Sequence, residues 1–498
     1  MSLLLRSPEQ ALDWLRQRGA KGLHADSRRL SAGEAFLAWP GAARDGRLFV
    51  PAALQAGACA CLIEDEGSQS VGLDLEDARI ARYRGLKALA SEFAAAFFAY
   101  PSSKLQVLAV TGTNGKTSTA WWLAQALSAA GRPCALVGTL GLGAPGQLQA
   151  QGLTTPDPVL LQQHLRQWVN QGRQACALEA SSIGLAELRL EGLHIHTALL
   201  TNFTQDHLDY HGTMQAYWQA KARLFDWPGL CAAVLNIDDP KGGELAGQLA
   251  GRPGLDVWTV SLQGPARLRA QGWRAADGGT EFEVCEAEQV RSVFVPALGQ
   301  YNISNMLGVI AGLRSVGLSL DQAVQACVGL SPVPGRMESI GGTGEPMVVV
   351  DYAHTPDALE QVLRALGPVA KGRGGSLWVV IGCGGDRDRL KRPLMAEVAG
   401  RHAHHRIFTS DNPRHEAPAA ILQDMIAGLG AGHAVLEEDR QRAIELAVTQ
   451  AKAADVVLVA GKGHEDYQEV AGQRRPFSDR EVAHHALALR TSARGVPA

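Results

Sequence analysis

The chain has 498 residues, 46% of them hydrophobic, which predicts roughly three domains with enough apolar material for a core in each. A formal net charge of −3 offers no bulk attraction for nucleic acid or an anionic membrane, and no apolar run is long enough to span a bilayer. The eight cysteines form no Cys-x-x-Cys pair and MSLLLRSPEQ is far short of a signal peptide, so a soluble cytoplasmic protein is expected, with Cys59, Cys134, Cys176 and Cys231 as buried reduced thiols in apolar runs.

Residues 1–101 contain two apolar strand-like runs, EAFLAW and ACACLIED, and a helical stretch ending at FAAAFFAYPSSK. Pro101-Ser102-Ser103 is polar and helix-breaking and marks a boundary. A second segment, 104–333, opens with LQVLAV, a continuous apolar run of the kind a buried parallel strand needs. A glycine loop follows, then a helix, TSTAWWLAQALSAAG, ending at Gly131. Strand and helix signals alternate until LSPVPGR, where two prolines and a glycine mark the second boundary. The last segment, 334–498, holds four apolar runs: MVVVDYAH, SLWVVIGCGG, HRIFTSDNPR and DVVLVAGKGHE. Alternating β and α predicts an α/β protein of three domains: an N-terminal α/β domain, a central P-loop parallel-sheet domain and a C-terminal Rossmann-like domain. Each of the four C-terminal runs ends in polar, glycine-rich residues. Open α/β sheets bind ligands beyond the carboxyl ends of their strands, so these four tails are expected to meet in space.

The glycine loop reads VTGTNGKTST. A P-loop, G-x-x-x-x-G-K-[ST], needs a glycine five residues before Gly115, but that position is Val110, and the nearer glycine is Gly112. The context is nevertheless strand, loop and helix. A helix N-terminus offers free N–H groups to phosphate, Lys116 adds a point charge, and the Thr117 hydroxyl can ligate Mg²⁺. Downstream, ALEASSIG places Glu179 after an apolar run. LLTNFTQDHLDYHGTMQAYWQAKARLF supplies His207 and Lys221 among other polar residues. Taken singly, these read as surface charges or helix caps; together they offer a Mg²⁺ environment beside an ATP loop. A dinucleotide fingerprint beginning at Gly382 fails, because Arg387 stands where its third glycine is needed.

GTNGKTS, with its shortened spacing, resembles the ATP loop of the Mur ligase family, which joins amino acids to a peptidoglycan precursor, and about eight motifs in the family's order extend the resemblance over essentially the whole chain. It implies ATP binding by Gly112, Thr113, Asn114, Gly115, Lys116, Thr117 and Ser118, with Asn302 (from LGQYNISN, where helix capping is an equal alternative), Arg336 and Asp351 reaching the nucleotide. Metal binding is implied for Thr117, Glu179, His207 and Lys221, the last as a carbamate in the pattern A-K-x-x-L-F, and Lys116, Glu179, His207 and Lys221 are the implied catalytic set. HADSRRL, GEAFLA and DGRLF resemble the UDP-binding domain of the branch adding the third amino acid. Ser27, Thr154, Thr155, Ser181, Glu187 and Arg189 are the implied precursor contacts. Ala42, Ala43, Arg44, Ile183, Gly184 and Glu187 depart from the family pattern there. SDNPRHEAP resembles the family's diaminopimelate signature, although Asn-Pro also starts a β-turn. It implies that Arg387, Asp411, Asn412, Pro413, Arg414, Gly461 and Glu465 hold that amino acid.

The resemblance therefore implies an ATP-dependent, Mg²⁺-requiring ligase in peptidoglycan synthesis. It would add meso-diaminopimelate to UDP-MurNAc-L-Ala-D-Glu and act as a monomer, with neither nucleic acid nor membrane insertion involved. An L-lysine-adding member and a folylpolyglutamate-type ligase, which lacks the DSR domain, are the neighbouring alternatives. A nucleotide switch or motor, hydrolysing ATP without an amino acid, is the alternative from another class.

Overall fold

A computed structural model describes residues 3–41, 44–276, 278–342, 344–430 and 432–494; Ala42 and Ala43 lie outside the described residues. Three large sheets follow one another along the chain. The first has five strands in the order Leu3–Leu5, Ile80–Tyr83, Ala60–Glu64, Ala35–Ala38, Leu23–His24, all parallel. The sequence suggested only the runs around Ala35–Ala38 and Ala60–Glu64, because strands of two or three residues carry too little pattern to stand out and Arg82 interrupts the run at Ile80–Tyr83.

The second sheet has eleven strands. Its centre is parallel, as the continuous apolar runs require, but both margins are antiparallel: Gly141–Ala144 and Gln147–Gln149 on one side, Gly279–Glu286 and Gln289–Val295 on the other. Alternating burial along Gln289–Val295 shows one face covered and one open, as expected of an edge hairpin. The strand Gln106–Thr111 lies between Ala175–Glu179 and Thr197–Leu200, all parallel. This order brings Glu179 and Thr201-Asn202, both remote in sequence, to either side of the glycine loop.

The third sheet runs Glu338–Ile340, Met347–Asp351, Val456–Ala460, Leu377–Ile381, His405–Phe408, Val435–Leu436, parallel except for the first pair. Its four apolar runs are adjacent strands, so their polar tails leave the same edge. Arg440, 1% exposed, braces that edge. It donates to Asp479 in a two-point ion pair at 2.7 Å and to the carbonyls of Ser410 and Ala460, the residues just before Asp411 and Gly461. No helix among the described residues is long and apolar enough to cross a membrane. Cys134 and Cys176 are buried, but Cys59 is half-buried and Cys231 is exposed, because Cys231 falls in the turn before the strand Ala232–Asn236 and not in the strand itself.

Candidate active site

The glycine loop is shaped by backbone that only glycine adopts readily. Gly112 has φ +146°, and a Cβ there would lie 1.9 Å from Thr201 Oγ1. Gly115 (φ +83°) precedes the helix Lys116–Ala129, and no side chain caps the first-turn N–H groups, which suits them to bind an anion. The loop is tied to the neighbouring strand tail: Thr113 N donates to Asn202 O (2.9 Å) and Asn114 N to Asn202 Oδ1 (2.8 Å). Lys116 Nζ donates to the carbonyls of Gly112 and Thr113 at 2.9 and 2.8 Å. Burial lowers its pKa, with Glu179 pulling the other way.

Glu179, 1% exposed, accepts from the Thr117 hydroxyl (3.1 Å), the Thr139 amide (2.9 Å) and the Thr139 hydroxyl (3.1 Å). Burial raises its pKa, while Lys116 acts to lower it. The Thr117 hydroxyl and Glu179 are hard oxygen donors side by side. They fit Mg²⁺, which favours one or two carboxylates with substrate phosphates and water. No three His, Cys, Asp or Glu groups converge as an all-protein metal cage among the described residues. His207 sits in left-handed backbone (φ +52°), 3.4 Å from Asp206, and burial holds its imidazole toward the neutral form, assisted by Lys116 and Lys221. Lys221 is not on a helix surface. It is 1% exposed, donates to Gly112 O at 2.6 Å, and lies 4.6 Å from the Tyr217 ring centre.

Arg336 crosses from the third sheet to the loop, its Nη2 3.3 Å from Thr117 Oγ1, while its buried Nη1 has no hydrogen-bond partner. Asp351 behaves differently. Its carboxylate accepts from Met337 N and Ala353 N inside its own domain (2.7 and 2.8 Å) and does not reach the loop in this arrangement. Asn302 does not cap its helix; Gly299 holds that position, and buried Asn302 donates to Leu298 O and accepts from Asn305. Ser118 is buried in the first helical turn.

A cavity of about 1050 Å³ lies between the second and third sheets. Thr139, Thr154, His207 and Tyr210 face it from one side, and His354, Arg387, Asp411, Asn412, Arg414 and Glu465 from the other. Lys116 is not on its wall; the loop connects to it through Thr117, Glu179 and Thr139. Tails of all four adjacent C-terminal strands reach this cavity. Arg414 is held in left-handed backbone (φ +50°) and donates to Gly385 O at 2.7 Å, and Glu416 N to Pro413 O closes the turn that presents it. Gly461 leaves room for Asp411, whose Oδ2 would meet a Cβ at 2.5 Å. Of the three arginines in GCGGDRDRLKRP, only Arg387 faces the cavity. Arg392, fully buried, pairs with Glu416 and Asp424 (2.8 Å each), and Arg389 pairs with Asp424 (3.1 Å).

Toward the first sheet, Arg189 Nη1 donates to Thr155 O (2.9 Å), and the Thr155 hydroxyl, 1% exposed, is engaged by Glu179 O and Ser181. Ser181 caps the helix Ser182–Ala186. Thr154 bonds Thr139 (3.0 Å), and Glu187 accepts from Lys87 (2.7 Å) and Tyr210 (2.6 Å), tying the first two sheets together. Ser27 is half-buried in the turn Ser27–Arg29, and the helix Pro158–Asn170 that starts at the end of TTPDP packs against the strand Leu23–His24 that precedes DSR, so the DSR and TTPDP turns are neighbours. Sequence reasoning missed two residues of this region. Lys462 is fully buried beneath Asn412 and Glu465, and Asp357 accepts from Asn114 Nδ2 of the loop at 3.2 Å. Neither had a local signal, since only tertiary neighbours make them notable.

Known proteins resemble this chain along its length. Family models match at residues 20–98 (Mur ligase family, catalytic domain), 110–313 (Mur ligase middle domain) and 335–463 (Mur ligase, glutamate ligase domain). Over 494 residues, 98% of each chain, the protein is 56% identical to the UDP-N-acetylmuramoyl-L-alanyl-D-glutamate–2,6-diaminopimelate ligase of Acidovorax sp. (strain JS42). A solved UDP-N-acetylmuramoyl-L-alanyl-D-glutamate–2,6-diaminopimelate ligase is similar at 36% identity and TM-score 0.64, covering 95% of each chain. A MurF ligase from Thermotoga maritima in complex with ADP shares the fold, with TM-score 0.68 at 18% identity, over 97% of this chain and 100% of that one. With family models matching along all three sheets and a relative 56% identical over 98% of the chain, the chain belongs to the Mur ligase family of ATP-dependent ligases.

Proposed function

We propose that this ligase adds meso-diaminopimelate to UDP-N-acetylmuramoyl-L-alanyl-D-glutamate, in the cytoplasm and as a monomer. The observation that carries the reading is the pair Arg414 and Glu465 on one cavity wall. A guanidinium suits a distal carboxylate in a two-point contact, and a carboxylate suits the ammonium beside it. L-lysine has the ammonium but no distal carboxylate.

The reaction must bring a carboxylate to a triphosphate, both anionic. Lys116, the uncapped N–H groups of its helix and the unpartnered Nη1 of Arg336 supply positive charge where the γ-phosphoryl group transfers. Thr117 and Glu179 would hold Mg²⁺, with His207 and a carbamylated Lys221 nearby, and the ion would neutralise phosphate charge. The precursor's D-glutamate side-chain carboxylate takes the γ-phosphoryl group, giving an acyl phosphate and ADP. The amine of diaminopimelate attacks the acyl carbon, and phosphate leaves from the tetrahedral intermediate as the C–N bond is completed. Ser27, Thr154, Ser181 and Arg189 would hold the precursor, so that acceptor, ATP and amine meet in one cleft.

The test is phosphate release with ATP and the precursor dipeptide, adding one amino acid at a time. Release that depends on diaminopimelate is expected. Equal kcat/KM for lysine, or release without any amino acid, would refute the reading.

A further inference from the structure

Lys462 is 0% exposed and lies one residue beyond Gly461. Its Nζ donates to Asn412 Oδ1 at 3.0 Å and to Glu465 Oε2 at 2.8 Å. Asn412 Nδ2 donates to that same Glu465 oxygen at 2.8 Å, and Asn412 Oδ1 also accepts from Glu469 N at 2.9 Å. Glu465 Oε2 therefore accepts twice, while Oε1 accepts from no described residue and Glu465 faces the cavity. Nζ stands 5.3 Å from the centre of the Tyr467 ring. A buried ammonium is costly unless paired and hydrogen-bonded, so this cation belongs to the Asn412–Glu465 arrangement and not to solvent.

We infer that Lys462 is a specificity-determining positioning residue: it locks Glu465 so that Oε1 alone meets the distal ammonium of the amino acid, and it offsets the Glu465 charge. The inference rests on the diaminopimelate reading of the cavity. The charge argument concerns a difference. Without Lys462 the surroundings of Glu465 become one unit more negative, which favours lysine, whose distal end is cationic. Diaminopimelate, whose distal ammonium and carboxylate cancel, gains nothing.

The experiment is steady-state kinetics of the full chain with diaminopimelate and with L-lysine, at saturating ATP and precursor, for wild type, Lys462→Met and Lys462→Gln. In Lys462→Met the KM for diaminopimelate should rise roughly tenfold or more, from the loss of two charge-assisted bonds, with a smaller change in kcat. The ratio of kcat/KM for diaminopimelate over lysine should fall, while the KM for ATP does not move. Lys462→Gln, a neutral donor, should recover part of the KM but not the ratio, and it carries the same comparison should the methionine variant not fold. An unchanged ratio, even with a lowered Tm, would reduce Lys462 to a structural role and overturn the inference. A wild type that does not prefer diaminopimelate overturns the functional reading beneath it, and the inference with it.

Discussion

At the residue scale, the two lysines of the ATP loop region are held differently from surface lysines. Burial, and then the charge of Lys116, push the pKa of Lys221 well below the ordinary lysine value. That favours the neutral amine, the form whose lone pair attacks CO₂, forming the N–C bond and releasing a proton. A carbamate at Lys221 would put an anion where burial and the charge of Lys116 disfavour an ammonium. Lys221→Ala should therefore be inactive and partly rescued by formate or acetate, measured as phosphate release; full activity in the unrescued variant would end the carbamate assignment. Arg414 makes a separate test of the amino-acid site. With lysine bound, its guanidinium would keep only the Gly385 carbonyl and the Glu469 carboxylate at 3.9 Å and would lose a two-point carboxylate partner in the cavity, a loss on the order of 2–5 kcal/mol. Arg414→Ala should lose about 30-fold or more in kcat/KM with diaminopimelate, at tenfold per 1.4 kcal/mol. The poor reaction with lysine should change much less, and equal losses with both amino acids would argue against a carboxylate grip.

At the scale of elements, the loop between Gln106–Thr111 and Lys116–Ala129 owes its shape to its neighbour strand as much as to its own glycines. Thr201 Oγ1 donates to Asn114 O at 2.6 Å, in the space that a Gly112 Cβ would need. Gly112→Ala must therefore shift either the loop or the tail of Thr197–Leu200. A loss of about 1–3 kcal/mol in stability is expected from the strained backbone, with weaker ATP binding. Denaturant melts and nucleotide titration check both; an alanine variant with unchanged ATP affinity would show that the loop does not depend on this close approach. The third sheet shows the same logic. DNPR reads as a turn, and Pro413–Glu416 does form one, but the position of Arg414 depends on more. Its amide donates to Glu469 O, and the carbonyl of Ser410, just before the turn, is held by Arg440.

At the scale of the whole molecule, the second and third sheets are joined across the cleft by Arg336–Thr117, Asn114–Asp357 and Thr204–Asp357. Besides His207, two imidazoles, His354 and His464, line this cleft. Burial lowers the pKa of His354 to about 4, with Lys391 adding to it, and that of His464 to about 3, with Arg336 and Lys462 adding to it. Both are neutral when folded, whereas in an unfolded chain they titrate near 6.5. Below that pH the unfolded state binds more protons, so their contribution is intact above it and is lost as pH falls toward 4 and 3. Urea unfolding at pH 7.5, 6 and 5 should show stability falling with acidity, less steeply in His464→Gln; equal slopes in the two proteins would remove His464 from the account. The sequence by itself determined what depends on local order: apolar runs that must be buried strands, the loop at a helix start, the turn at Pro413, and the succession of segments that marks the family. Only the tertiary structure decided which residues became neighbours. It set Glu179 and Asn202 on either side of the loop, buried Lys221 and Lys462, paired Arg392 and Arg389 with carboxylates, left Cys231 exposed and gave the central sheet antiparallel margins. The physical reason is that strand order and burial are set by packing between distant segments, and a charge changes its role once water is removed from around it.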